Sequence, residues 1–340
     1  MVSNLIKVGV SIERILRSFR PFSVAGVSNL YCDELQANIK FRQIGEYSPS
    51  LSYEVKDPFF GVKEIHGFRQ RFKVEISNPI VDSEFGHVFD KNLNLIQESS
   101  SWPSGHLLSA TIQRPQKKNV FQIDKKINLL PSNGYYHWLI EDLPPHISNL
   151  DLDDRVTGIY QASSKFVKSF ASEFAPRQVL LPKYFQPSEL LLSTKTHDTG
   201  WAHPKDVEIL RKFFKNKISI EPKLQIYISR TYSTRSPRWE LKLQNLLGSN
   251  GWKIIHAENL EFSEQISIIS NAKILCGVHG AGLANAVWMK EKSKLIEISP
   301  TNFRNCFANL ATVVGLDYKL IPQLQDVEQV YNEIQDYAKF

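Results

Sequence analysis

The stretch Ile274-Leu-Cys-Gly-Val-His-Gly-Ala-Gly-Leu-Ala-Asn285 limits what this chain can fold into more than any other. An apolar run from Ala272 to Val278 reads as a buried strand. It breaks at Gly277-Val-His-Gly-Ala-Gly282, and a helix-like run over Leu283–Met289 follows, then a second apolar strand over Lys294–Ile298. Strand, glycine turn, helix, strand is one parallel βαβ unit. Its turn falls at the carboxyl end of a strand, where open α/β sheets hold their ligands. Glycines let backbone N–H groups approach an anion closely, and the start of the following helix adds partial positive charge. Val278, His279, Gly280, Ala281 and Gly282 are therefore candidate holders of a phosphate or diphosphate. The pattern matches no standard fingerprint. Asn285 stands where the third glycine of G-x-G-x-x-G belongs, His279 where a nucleophile elbow needs serine, and no Lys-Ser/Thr pair makes a P-loop. Glycines serving packing alone are the bland alternative.

The chain around this unit alternates in the same way. Arg155–Tyr160 reads as a strand, Ser163–Phe174 as a helix, Gln178–Leu181 as a strand, Leu190–Ser193 as an apolar run and Pro204–Phe214 as a helix opened by proline. Asn216–Lys223 is polar and reads as a linker. A second series follows: strand Leu224–Ser229, helix Arg238–Leu247, strand Lys253–Ala257, helix Ser263–Ser270, the glycine unit, helix Phe303–Val314 and strand Tyr318–Ile321. Residues from about 50 to 125 instead carry short alternating runs such as Phe72–Ile76 and His87–Ile96, with polar turns. With 340 residues there is room for two domains, each with its own core. The pattern predicts an α/β protein of two Rossmann-like domains facing a cleft, with a β-rich N-terminal elaboration. The expected divisions are 1–125 for a basic helix and the elaboration, 126–218 for the first domain, 219–322 for the second, and 323–340 for a helix that packs back.

Composition narrows the partners. Hydrophobic content of 42% and charged content of 22% are ordinary for a globular chain. A net charge of +6 suits an anionic ligand, an anionic membrane surface or nucleic acid. The aromatic and basic interleaving of RNA-binding modules is missing, so nucleic acid is not an expected partner. Cys32, Cys276 and Cys306 are odd in number and form no CxxC, which argues against a disulfide framework or zinc site and for a reducing, cytoplasmic setting. Residues 5–19 fit an amphipathic basic helix, with Ile6, Val10, Ile15 and Phe19 near one face and Lys7, Arg14 and Arg17 near another. Such a helix is a candidate for peripheral contact with the inner face of a membrane.

Two further stretches carry chemistry. In Asn133-Gly-Tyr-Tyr-His-Trp-Leu-Ile-Glu-Asp-Leu-Pro-Pro145, a short helix over Tyr135–Leu143, stopped before Pro144, places His137 and Glu141 on one face at i, i+4. A histidine and a carboxylate so placed suit acid–base work, although an aromatic-rich helix is more often core. In Ile226-Tyr-Ile-Ser-Arg230, a strand ends with a cation at its tip, and Arg235 and Arg238 follow among hydroxyl residues that include Ser229. Arginine recognises phosphate bidentately and hydroxyls add donors. If the strands run parallel, this loop lies on the same sheet edge as the His279 turn.

Together these stretches resemble glycosyltransferase family 61, and in particular its bacterial polysaccharide branch. The resemblance covers about 130–321 and is carried by Asn133–Glu141, by Tyr227-Ile-Ser-Arg230 with Arg235 and Glu240, by Glu258–Gln265, and by Gly277–Leu283 with Leu295–Ile298. It implies a GT-B fold, a nucleotide-sugar donor on the C-terminal domain, a glycan or glycolipid acceptor on the N-terminal domain, and inversion without a required metal or other cofactor. The second series has no Asp-x-Asp, so the leaving diphosphate would be met by Arg230, Arg235, the Gly280–Gly282 amides and His279. Glu141 matches the family's acidic position and is the implied base, with Asp142 as the substitute and His137 orienting it. Glu297 is the candidate for the ribose hydroxyls. The rival from another class is a non-catalytic nucleotide-binding or scaffold protein.

Overall fold

The computed structural model describes residues 27–28, 39–43, 53–57, 61–65, 71–89, 93, 95–96, 119–131, 134–150, 155–175, 177–193, 196, 199–219, 221–233, 236–299, 305–322 and 326–339. The basic helix expected at 5–19, the polar turns that follow the alternating runs (90–92 and 99–105), and Arg235 lie outside the described residues. The chain forms two compact units. One comprises 1–49, 68–133 and 148–199; the other comprises 50–67, 134–147 and 200–340.

The first unit is built on a ten-stranded mixed sheet. Tyr184–Ser193, Phe121–Leu130, Val156–Tyr160 and Gln178–Leu181 run parallel in that order, whereas Phe72–Ser77 and Ile80–Asp82 pair with Tyr184–Ser193 antiparallel. Val74, Ile76, Ile127, Leu181, Phe185 and Leu190 form its core. The Arg155 guanidinium bonds Glu189 and, at 3.0 Å, Glu75, joining carboxylates from two neighbouring strands. Strands Phe72–Ser77 and Ile80–Asp82 of the β-rich stretch therefore belong to the same sheet as the α/β series, whereas, among the described residues, Tyr53–Asp57 and Gly61–Ile65 pair only with each other. Strand Phe121–Leu130 crosses the expected division at 125, because five of its first six residues are exposed and its buried positions begin only at Ile127.

The second unit carries a five-stranded, all-parallel sheet: Lys253–Ile255, Leu224–Ile228, Ala272–Val278, Lys294–Ser299, Asp317–Pro322. Ranked along the chain, the order is 2-1-3-4-5, a doubly wound pattern. Ile274, Cys276, Val278, Ile296, Ile298 and Ile321 pack with Leu243 and Leu247 of helix Glu240–Ser249 and with Val330 and Ile334 of helix Val327–Lys339. Leu275 and Leu295, at the alternate positions, are equally buried. Both faces are thus covered, as an all-parallel sheet requires. The terminal helix packs on this unit's own core.

Two divisions differ from those read in the sequence. Helix Pro204–Phe213 and the 134–147 segment join the second unit, and the polar stretch before Leu224 is no domain boundary. Aromatic packing decides this. Trp138, Phe214, Phe262 and Trp288 form one cluster with ring centroids 5.1 to 6.1 Å apart, all nearly fully buried. Such rings bury large apolar areas and prefer the edge-to-face geometry seen here. Arg211 then donates to the carbonyls of Val287 (2.9 Å) and Met289 (2.6 Å), fixing the Pro204–Phe213 helix against the segment after the glycine turn.

Candidate active site

In a 2-1-3-4-5 sheet the chain reverses its winding between the first and third strands, and ligands bind at the carboxyl ends there. The first strand ends at Ile228 and delivers Ser229-Arg230. The third ends at Val278 and delivers His279-Gly280. The Arg230 and His279 elements share one edge, on adjacent strands.

They also touch. The Arg230 guanidinium donates from Nη1 to the His279 carbonyl and from Nη2 to Ser233 Oγ at 2.8 Å. Its seat depends on Gly280. A Cβ at that position would come within 2.6 Å of Nη1 and 2.8 Å of Cζ of Arg230. The space left by the missing side chain therefore holds a guanidinium. Gly277 and Gly282 serve packing: a Cβ at either would press on Ile228 at 3.2 and 3.1 Å. Beyond the turn the chain forms a 3-10 helix, Ala281–Trp288, where an α-helix was expected over Leu283–Met289.

The arginine loop is shaped from behind. Glu240, buried at the start of its helix, accepts from the Arg230 backbone N–H (2.8 Å) and the Tyr227 hydroxyl (2.9 Å). Burial, reinforced by Glu240, pushes the Tyr227 phenol well up, so it remains a donor. Ser229 is buried, and its hydroxyl accepts from Gln244 at 3.0 Å and from the Thr231 N–H at 3.1 Å. These bonds fold the loop and engage the hydroxyl that the sequence reading had offered to an anion. Cys276 lies buried in the third strand, its thiol pushed well up by burial, which makes it inert.

His279 is held by a fully buried carboxylate. Glu297 Oε1 lies 2.5 Å from His279 Nδ1, and Oε2 accepts from the Tyr318 hydroxyl at 2.6 Å. Both oxygens are engaged and shielded, so Glu297 is not a carboxylate open to ribose. It acts through His279, fixing the ring with Nε2 as the remaining nitrogen. The third partner, Tyr318, had no sequence signal beyond its place in the last strand.

His137 ends a short α-helical segment, Tyr135–His137, and Glu141 lies in the π-helix Trp138–Asp142 that follows, before a second α-helical segment, Leu143–Ile147. The helix runs through Pro144 and Pro145 and does not stop before them. The wide turn, marked by the Leu143 N–H donating to the Trp138 carbonyl five residues back, relieves the clash that proline imposes on the turn before it. His137 Nδ1 is 2.9 Å from Glu141 Oε1, which also accepts from the Gly200 N–H at 2.7 Å. The His137 side chain is 44% exposed and that of Glu141 only 2%, so the imidazole is the accessible member. Asp142 is buried as well.

A buried polar knot binds this segment to the glycine turn. The Tyr135 hydroxyl is 3.0 Å from Gln265 Oε1 and 2.8 Å from Asn285 Oδ1, while Asn285 Nδ2 donates to Gln265 Oε1 and the Gly282 carbonyl at 3.1 Å each. Asn285, the odd residue of the glycine pattern, is thus the link between two motifs. Burial raises the Tyr135 phenol far above its ordinary range, so its proton stays. Nearby, Phe307 packs edge-on against Tyr136 (5.6 Å) and His279 (5.3 Å), and Tyr136 packs edge-on against His137 (5.6 Å), so a chain of ring contacts runs from one histidine to the other. Among the described residues no group of three or more His, Cys, Asp or Glu gathers that could hold a metal ion, and no helix is long and apolar enough to cross a membrane.

These features define an α/β unit with a candidate anion site at the switch point of a parallel sheet and a hydrogen-bonded histidine–carboxylate pair on the same unit. The family comparison places it further: residues 135–296 match the family model described as Glycosyltransferase 61, so the resemblance read from the motifs is shown over that span. The span starts at Tyr135 and stops one residue short of Glu297. The chain is 33% identical over 75 residues to an EGF domain-specific O-linked N-acetylglucosamine transferase of Gallus gallus, covering 20% of this chain and 14% of that protein. It is 34% identical over 62 residues to the protein of the same description from Drosophila melanogaster, covering 18% of this chain and 12% of the relative. The matches thus span about an eighth of these relatives' length.

Proposed function

We propose that this protein is an inverting, metal-independent glycosyltransferase that moves a sugar from a nucleotide-sugar donor to a hydroxyl of a glycan or glycolipid. The observation that carries the reading is the contact of Arg230 with the His279-Gly280 turn at the sheet's switch point. A guanidinium, backbone N–H groups and an oriented imidazole suit a departing diphosphate, whose charge grows in the transition state. Inversion needs one base for in-line attack by the acceptor. Accessibility favours His137 for that role, with Glu141 holding its Nδ1 at 2.9 Å, where the sequence reading had Glu141 as the base and His137 orienting it. The GT-B arrangement, a cytoplasmic setting at the membrane face and a place in surface or capsular polysaccharide synthesis belong to the same reading.

Nucleotide binding and sugar transfer, measured on three variants, test it. Arg230→Ala should weaken nucleoside diphosphate binding, while His137→Gln and Glu141→Gln should bind as before and lose transfer. Transfer that survives in His137→Gln removes the base assignment. Binding with no transfer by the unmodified protein on any donor and acceptor offered favours the scaffold reading.

A further inference from the structure

We propose that Tyr232 and His256 form a stacking platform for the base of the nucleotide, an inference that rests on the donor site just described. Tyr232 is 73% exposed, the most exposed large apolar side chain among the described residues. Isolated exposed aromatics are common, but this one is placed. It lies in the loop after the first strand, two residues beyond Arg230, and its ring packs on the His256 imidazole with centroids 5.2 Å apart and planes 42° from parallel. His256 directly follows the second strand, the sheet neighbour of the first. Both rings therefore stand at the carboxyl edge, on the outer side of the arginine, as His279 stands on its inner side. Glu258 closes the far end, its carboxylate 4.0 Å from His256 Nδ1.

The geometry orders a ligand along the edge. A diphosphate held at Arg230 and the Gly280 turn directs its sugar to one side, toward His279, and its nucleoside to the other. On that other side stands an aromatic with an open face, already backed by a second ring. Base stacking on an aromatic is tolerant of base identity because every base has a π-face. Glu297, the ribose candidate from the sequence, is sealed by His279 and Tyr318, so recognition of the nucleoside has to come from elsewhere on the edge. The platform supplies it.

Titration of the full chain with inorganic pyrophosphate, uridine diphosphate and guanosine diphosphate tests the inference. Tyr232→Ala should weaken both nucleotides by about 5- to 100-fold and leave pyrophosphate unchanged, and Tyr232→Phe should stay within about twofold of the parent for all three. The inference is overturned if Tyr232→Ala leaves nucleotide affinity intact, if it weakens pyrophosphate equally, or if the unmodified protein prefers neither nucleotide to pyrophosphate. A parent chain that binds none of the three overturns the donor site and the platform together. Nucleotide binding that depends on Tyr232 without any sugar transfer sinks only the enzymatic reading.

Discussion

Gly280→Ala separates the stability of this fold from its chemistry. The backbone there is extended, with φ at 175°, so alanine adopts it without strain. The added Cβ would meet Arg230 Nη1 at 2.6 Å, Cζ at 2.8 Å and Nε at 3.0 Å. All three belong to the far end of a flexible side chain, which can swing away. The guanidinium would give up its bonds to the His279 carbonyl and Ser233 Oγ, so the fold should lose about 1.5–3 kcal/mol, less where water replaces them. The displaced guanidinium, however, leaves the His279 carbonyl and the proposed anion site. A charge-assisted hydrogen bond contributes about 1.5–3 kcal/mol, so nucleoside diphosphate affinity should fall about 10- to 100-fold. Calorimetric titration of Gly280→Ala, Arg230→Ala and the double variant, with a thermal melt of each, reads both quantities. Because the alanine acts only through the arginine, the double variant should bind no worse than Arg230→Ala alone. Additive losses, or full affinity in Gly280→Ala, would refute the argument.

Two other outcomes follow from buried polar groups. Tyr135→Phe leaves the amides of Gln265 and Asn285 one partner short in a buried site and should lower unfolding free energy by about 1–3 kcal/mol, measured by urea denaturation; an unchanged midpoint would remove the knot's role. In the first unit, burial pushes the Asp82 carboxyl up from 3.8 to about 6 despite the Glu84 N–H it accepts. A raised carboxyl favours the folded state in its protonated form, so stability present below about pH 4 is lost as pH rises through 6, by up to about 3 kcal/mol. Asp82→Asn should flatten that stretch of the stability–pH profile, and a parallel profile would count against the assignment.

Much of the second unit was legible in one dimension. The strands at Leu224, Lys253, Ala272, Lys294 and Asp317 lie within a few residues of their apolar runs, because strands buried on both faces must be apolar at nearly every position. The Arg230 and His279 turns were visible as breaks in those runs, and parallel strands place both on one edge. The first unit was less legible. The exposed half of Phe121–Leu130 carries no apolar pattern, so a continuous strand looked like a domain boundary.

Local pattern set the identity of the elements and which residue types reach the sheet edge; that much the sequence determined alone. Tertiary structure decided the partners. Only packing shows that Gly280 makes room for Arg230, that Glu297 is sealed behind His279, that Glu141 is buried beneath His137, and that the 134–147 segment joins the later strands. The reason is physical. A run of residues encodes its own periodicity, but burial and the second partner of a polar atom depend on chain brought from more than a hundred positions away, as Tyr135 and Asn285 illustrate.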